Sequence, residues 1–336
     1  MSQKEIILDG RGAQDSLLRA ARDLGVRRFL GAAPEGGELV QISADSTGQG
    51  IREVVISSPD DVQRVLREAE AGAREILVEA RDWRIIPLEN LIAQLQGSGV
   101  RLFASASSAE EAEALAGVLE KGVDGVVLKV EGVEELARAL EALERPRPLE
   151  LSAATVEGVS LVGMGDRVCI DTSSMLPVGS GALVGNFASF LFLVHGETLE
   201  TGYVPARPFR VNAGGVHAYV MMPNGRTKYL SEISSGDRVA VVDWRGNVAR
   251  AVVGRAKIER RPMAVVRARS GSRSGSLILQ YAETIRLVRP DGTPVSITEL
   301  SPGDQVLVHL PQASGRHFGM AVDEFVIEKR DAEHRH

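Results

Sequence analysis

Between Phe187 and Tyr219 the sequence runs FASFLFLVHGETLETGYVPARPFRVNAGGVHAY, placing two imidazoles, the Glu197 carboxylate, two guanidiniums and an amide among apolar residues and glycines. His195 and Glu197 are two positions apart, so on a strand their side chains share a face. Such a pair, joined by groups from other strands, suits a divalent cation such as Mn²⁺, Mg²⁺ or Zn²⁺. It suits a general acid/base pair equally well. His217 sits beside a second apolar run, and His317 follows Arg316, so His195, Glu197 and His317 form a candidate metal-ligand set. A satisfied core histidine is the plain alternative for each one singly, and it weakens for the cluster. His309 reads as a solvated or capped residue, and His334 and His336 lie in a polar tail.

Arg207 and Arg210 are three apart, and a guanidinium is suited to bidentate recognition of a carboxylate; ordinary surface ion pairs explain the spacing as well. Gly179, Gly181 and Gly185 make a glycine-rich stretch of the kind that cradles a dinucleotide, but the final spacing and the strand-to-helix context are missing. Asp171 and Thr172 end the strand-like RVCID and could either cap a turn or reach a ligand.

Two kinds of sequence surround these residues. Up to Leu143, short apolar strands (28–31, 39–43, 53–58, 75–79, 100–105 and 125–130) alternate with amphipathic helical patterns at 60–71, 88–95, 109–121 and 131–143. Ser107-Ser108 caps the third helix and Gly122 ends it. Alternation of this kind predicts parallel β/α units, in a partial barrel or an open sheet. Arg81 and Asp82 follow the strand EILVEA, at the strand end where α/β folds collect ligands; pairing with each other or capping the next helix explains them equally well. Glu144-Arg145-Pro146-Arg147-Pro148 reads as a linker. Beyond it, alternating Val, Ile and Leu with Gly-Asp and Asn-Gly turns predict a β-rich, barrel-like half. The expected domains are therefore 1–145 (α/β) and 149–330 (β-rich, carrying most of the site), with a polar tail at 331–336. Gly165-Asp166, Gly236-Asp237 and Gly303-Asp304 echo one another and are expected each to open a strand.

The 336 residues carry a net charge of −6 and no long basic block, which argues against nucleic acid and anionic membranes as partners. No apolar run approaches the ~20 residues of a spanning helix. The N-terminus lacks the pattern of a signal peptide, so a cytoplasmic protein is the default expectation. Cys169 is the only cysteine, which excludes a disulfide framework and a cysteine-based zinc site.

The segments ARDWRIIPLENLIA (80–93), GDRVCIDT (165–172), FLVHGET (192–198), ARPFRVNAG (206–214), TKYLSE (227–232), VGRAKIERRP (253–262) and RHFGMAV (316–322) resemble the 3-dehydroquinate synthase II family, over about residues 75–329. The resemblance implies a reaction on a small C7 amino-keto acid. NAD⁺ oxidises the amine carbon of 2-amino-3,7-dideoxy-hept-6-ulosonate, ammonia is lost from the imine, and ring closure gives 3-dehydroquinate. A sister branch makes 3-amino-4-hydroxybenzoate with a divalent metal and no NAD. Ser173, Gly196 and Gly215 depart from the dehydroquinate branch, which usually has Cys, Ser and Pro there.

On this resemblance His195 or His217 is the expected base, Glu197 a ligand or orienting group, and Lys228 or Lys257 the group that polarises a carbonyl. Arg207, Arg210 and Asn212, with Arg81 and Asp82, are expected to hold substrate. Asp171, Thr172, Gly179, Gly181 and Gly185 are the candidates for NAD, and a Mn or Mg ion is a further candidate cofactor. A homo-oligomer is an additional expectation, and a non-catalytic small-molecule-binding protein is the alternative from a different class.

Overall fold

The computed structural model describes residues 4–43, 50–80, 85–118, 122–144, 147–200, 202, 204–311, 315–317 and 320–322. The chain divides into two compact units, Met1–Arg145 and Pro146–His336.

The first unit is built from β1 (Glu5–Asp9), α1 (Asp15–Asp23), β2 (Arg28–Leu30), β3 (Glu38–Val40), β4 (Arg52–Ile56), α2 (Pro59–Glu70), β5 (Glu75–Ala80), α3 (Ile85–Gln94), β6 (Arg101–Ala106), α4 (Ala109–Gly117), β7 (Gly125–Leu128) and α5 (Val133–Leu143). All seven strands pair in parallel, in the order β3-β2-β1-β7-β6-β5-β4. The sheet curls until Ile42, just past β3, bridges Ile51, just ahead of β4. The α/β expectation holds, in its barrel-like form. The central strand β1 was absent from the sequence-based strands: EIILD is short, lies near the N-terminus, and its charged ends hide the apolar middle.

Alternation along these strands separates two layers. Leu8, Val54, Ile76, Leu102 and Val126 pack outward against the helices. Ile7, Leu30, Val40, Ile51, Leu77, Phe103 and Val127 meet on the inside. Below them, Arg28 and Arg101 each pair with both Glu5 and Glu75, and both guanidiniums lie over the Phe103 ring. Helix starts follow local rules: the Ser108 hydroxyl accepts the Glu111 N–H at 3.2 Å, and the Asp61 carboxylate accepts the Ser58 N–H at 2.8 Å.

The second unit contains β8 (Leu151–Thr172), β9 (Ser180–Phe187), β10 (Phe190–His195), β11 (Arg210–Gly215), β12 (Tyr219–Met221), β13 (Thr227–Tyr229), β14 (Arg238–Asp243), β15 (Val248–Ser270), β16 (Arg273–Gln280), β17 (Arg286–Val288), β18 (Pro294–Ser296), β19 (Gln305–His309), β20 (Gly315–His317) and β21 (Met320–Val322). Apart from the β20–β21 hairpin, these strands form one antiparallel sheet in the order β13-β12-β9-β14-β15-β8-β19-β10-β17-β18. β11 also pairs with β8, β16 pairs with β15, and β9 joins β10.

That order reads alike from both ends: β14 stands between β9 and β15 as β19 stands between β10 and β8. The series β8, β11, β12, β13, β14 is thus repeated by β15, β16, β17, β18, β19, with the hairpin β9–β10 inserted in the first copy. The Gly-Asp echo follows this repeat. The Asp237 carboxylate accepts the Ser234 N–H and the Asp304 carboxylate accepts the Ser301 N–H, both at 2.9 Å. Gly236 and Gly303 both have positive φ, +92° and +97°, and each starts a strand of the repeat. Gly165-Asp166 is different, because it lies inside the long strand β8 rather than opening one.

Candidate functional site

Strand β8 offers Val168 and Ile170 to the buried core and, by alternation, Arg167, Cys169 and Asp171 to the opposite face. Register fixes what stands beside them. Asp171 is opposite Arg210 on β11 and Arg255 on β15; Cys169 is opposite Asn212 and Lys257; Arg167 is opposite Gly215 and Glu259. Directly opposed residues of antiparallel strands share a face, so three strands present one polar surface. Three of the motif segments, GDRVCIDT, ARPFRVNAG and VGRAKIERRP, supply it.

Asp171 binds both neighbours. Arg210 donates to its two oxygens at 2.6 and 2.8 Å, and Arg255 donates to Oδ2 at 2.9 and 2.5 Å. Burial opposes the Asp171 charge, but these hydrogen bonds outweigh it and hold the carboxyl below its usual range. The same pairing, with burial opposing it, raises the Arg210 pKa. Arg210 is buried and committed to Asp171, so it serves as an anchor, whereas Arg255 exposes 63% of its side chain. Arg167 pairs with Glu259 and touches the Cys169 sulfur; Lys257 reaches Glu259 at 3.0 Å. Burial pushes the Cys169 thiol up to about 11, against the opposing pull of Arg167 and Arg210. Asn212 donates to Gln280 at 2.9 Å and leaves its buried Oδ1 without a donor.

Glu197 is nearly buried, and Arg207 donates to it at 3.3 Å. Backbone bonds seat this segment at the head of the face: Glu197 N–H donates to Arg210 O, and Arg207 N–H donates to Glu197 O, both at 2.7 Å. Its charge is felt by Cys169 and Arg210.

The two histidines part company. His195 Nε2 accepts the Gly179 N–H at 2.9 Å, so the ring proton belongs on Nδ1, which is buried without a hydrogen-bond partner. Burial, aided by Arg286, lowers its pKa to about 4. By alternation from Val194, a core residue, the imidazole points to the other side of β10. His217, by contrast, lies over Gly215, where a Cβ would come within 2.8 Å of Cε1 and 3.0 Å of Nδ1. Its Nε2 is 3.1 Å from Asn186 Oδ1, which also accepts the Ile278 N–H, while Asn186 Nδ2 donates to Ser276. The amide oxygen can only accept, so Nε2 carries the proton and Nδ1 keeps its lone pair. Burial of the inner side of this exposed ring lowers its pKa.

Of the sequence candidates, Glu197, Arg207, Arg210, Asn212, His217, Lys257 and Asp171 meet at or beside this face. Lys228 pairs with Asp237 at 3.1 Å instead. The Thr172 hydroxyl lies 2.7 Å from Ser174 O and 3.1 Å from Phe209 O, inside a turn. Gly179 packs against Trp244, and a side chain at Gly181 or Gly185 would collide with carbonyl oxygens of β10. These last two glycines lie within β9, and the second unit has no α-helix among its described residues. The stretch does not fit a dinucleotide phosphate. Among the described residues no three His, Cys, Asp or Glu side chains are grouped to hold a metal ion, and His195 already uses Nε2. His195 and Glu197 therefore do not fit a shared cation. Arg81 and Asp82 lie outside the described residues; His317 ends β20, opposite Met320, and its side chain is likewise outside them. Sequence reasoning passed over Arg167, Cys169, Arg255, Glu259 and Asn186, although the two-residue period of Arg167, Cys169 and Asp171 was a readable signal.

Together, a curled parallel α/β sheet and an antiparallel β unit with a cation-rich, carboxylate-laced face define a two-part α/β-plus-β protein. Comparison with known proteins makes this specific. Residues 8–143 match the model of the 3-dehydroquinate synthase II N-terminal domain, and 153–329 match that of its C-terminal domain. The chain belongs to the 3-dehydroquinate synthase II family, and the match reaches back to residue 8, into the stretch before residue 75 that the sequence motifs had left out. A 3-dehydroquinate synthase from Korarchaeum cryptofilum is 45% identical, with 98% of this chain and all of that one covered. One from Methanothrix thermoacetophila is 51% identical over 76% of this chain and 70% of that one. A 3-dehydroquinate synthase homolog from Aquifex aeolicus is 46% identical over 87% and 88%.

Proposed function

We propose that this chain is a 3-dehydroquinate synthase that converts 2-amino-3,7-dideoxy-hept-6-ulosonate into 3-dehydroquinate, and that the β11–β8–β15 face is where the substrate binds and cyclises. The observation that carries this reading is the convergence of Arg210–Asp171–Arg255, Asn212–Cys169–Lys257 and Gly215–Arg167–Glu259 in one register. The oxidation at the amine carbon that precedes ring closure calls for a hydride acceptor, which NAD⁺ would supply if bound. The Gly179–Gly185 stretch does not fit it, and no role below depends on it.

The substrate is a carboxylate, and Arg207 and Arg255 are guanidiniums near this face with exposed side chains to receive it. Asp171 fixes Arg255 in place. Once ammonia has left, the chain bears two carbonyls and a methyl group beside one of them. Ring closure removes a methyl proton, forms the bond from that carbon to the second carbonyl carbon, and protonates the new alkoxide. His217 Nδ1 is the base in this scheme: its lone pair is free, Asn186 holds the ring, and its lowered pKa keeps it neutral near pH 7. Lys257, half-exposed opposite Cys169, donates to the developing oxyanion. The unpartnered Asn212 Oδ1 accepts from a substrate hydroxyl or ammonium.

Incubating the purified protein with the amino-ulosonate, with and without NAD⁺ and Mn²⁺, tests the reading. NADH together with dehydroquinate supports it. An aminated aromatic product without NADH places the chain in the sister branch, and ligand binding without turnover makes it a binding protein.

A further inference from the structure

The curled sheet of the first unit has two unlike ends. At the N-terminal ends of its strands, Arg28 and Arg101 both pair with Glu5 and Glu75 beneath Phe103. At the C-terminal ends, the inward positions continue one step beyond the apolar layer of Leu77 and Val127 to Glu79 on β5 and Lys129 just past β7. Lys129 still follows the ladder, its N–H donating to Ala106 O at 2.8 Å, so its side chain faces inward like that of Val127. Its Nζ lies 2.6 Å from Glu79 Oε2, and about a third or less of either side chain is exposed. Arg11, following β1, binds Asp9 on its own strand and both oxygens of Glu53 on β4. β1 and β4 are not neighbours in the sheet, so Arg11 spans this end. Gly31, with φ +81°, leaves the space that the Arg11 stem occupies.

We propose that this end of the sheet is a second reactive site, in which Lys129 forms an imine with a small hydroxylated ketone or aldehyde. The C-terminal ends of parallel β/α strands are where such folds carry their chemistry. A lysine attacks a carbonyl as the neutral amine, and Glu79, the carboxylate paired with it among the described residues, is placed to relay its proton. Glu79 takes one proton from the ammonium, the Lys129 nitrogen attacks the carbonyl carbon, and a second proton passes from that nitrogen to the oxygen. The C–O bond then breaks, water leaves with the proton returned by Glu79, and the protonated imine remains. Asp9 and Glu53 accept hydroxyl groups and disfavour a ligand with further negative charge. The site is separate from the second unit's face and stands whether or not that face acts as described.

The full chain, incubated with dihydroxyacetone and pulsed with borohydride, tests this by peptide mass spectrometry. Reduction delivers hydride to the imine carbon and leaves a secondary amine, with a mass gain equal to the ketone less one oxygen. Lys129 is expected to be labelled about tenfold more than the more exposed Lys228 and Lys257. Glu79→Gln should slow its labelling by about tenfold, with the circular dichroism spectrum unchanged, and Lys129→Arg should leave only background. No labelling, labelling spread evenly over the lysines, or a Glu79→Gln rate equal to wild type would overturn the proposal.

Discussion

Asp171 and Arg210 face each other across adjacent strands, both buried, joined by two hydrogen bonds of 2.6 and 2.8 Å. Removing one partner leaves the other charge buried and unpaired, which typically costs about 3–5 kcal/mol. Asp171→Asn should therefore lower the urea midpoint markedly. Arg255→Ala removes a mostly exposed partner of the same carboxylate and should cost below about 1 kcal/mol. Equal midpoints for the two variants would contradict this assignment of anchor and ligand-facing arginine.

The buried His195 makes stability depend on pH. Its folded pKa, about 4, lies below the ordinary value of 6.5. Between those limits the unfolded chain binds the extra proton, so stability is full above about 6.5 and falls as pH drops toward 4, by on the order of 3 kcal/mol. In His195→Asn, denaturation midpoints should lose most of this slope. A slope identical to wild type would assign the acid sensitivity to other groups.

Cys169 should be inert. With its thiol pushed up to about 11 by burial, little thiolate exists near neutrality. Iodoacetamide at pH 7.5 is expected to leave the folded protein unmodified for hours and to alkylate it promptly in urea. Rapid alkylation of native protein would show that the sulfur is open to solvent.

His217 depends on Asn186 for its tautomer and on Gly215 for its space. Asn186→Ala is expected to lower kcat by about tenfold or more with little change in KM. Gly215→Ala should do the same, because its Cβ would crowd the ring at 2.8 Å. The readout is steady-state kinetics beside a thermal melt. A lower melting temperature with unaltered kcat would mean that the ring serves the fold alone.

Much of the architecture was legible because burial writes itself into alternation: β4 to β7 and their helices follow the apolar period, and the Pro-rich segment at 146–148 interrupts it. Strand β1 was not legible, since five residues flanked by charge carry little periodicity. The site was legible in residue type more than in partnership. Arg207, Arg210, Asn212 and Lys257 were picked out from single segments, but register across three distant strands decides that Arg210 is an anchor and that Lys257 faces Cys169. Likewise, spacing put His195 beside Glu197, whereas one hydrogen bond from Gly179 takes up the nitrogen a ligand or base would use. The glycines of β9 looked like a phosphate loop because close strand pairing and phosphate cradling both demand a missing side chain.

The central claim is that the β11–β8–β15 face holds the substrate, and calorimetric titration of 3-dehydroquinate tests it most directly. Wild-type protein should bind, and Arg255→Ala with Lys257→Met should weaken binding by about tenfold or more while the fold is kept. Undiminished affinity in that double variant would place the ligand elsewhere and contradict the account.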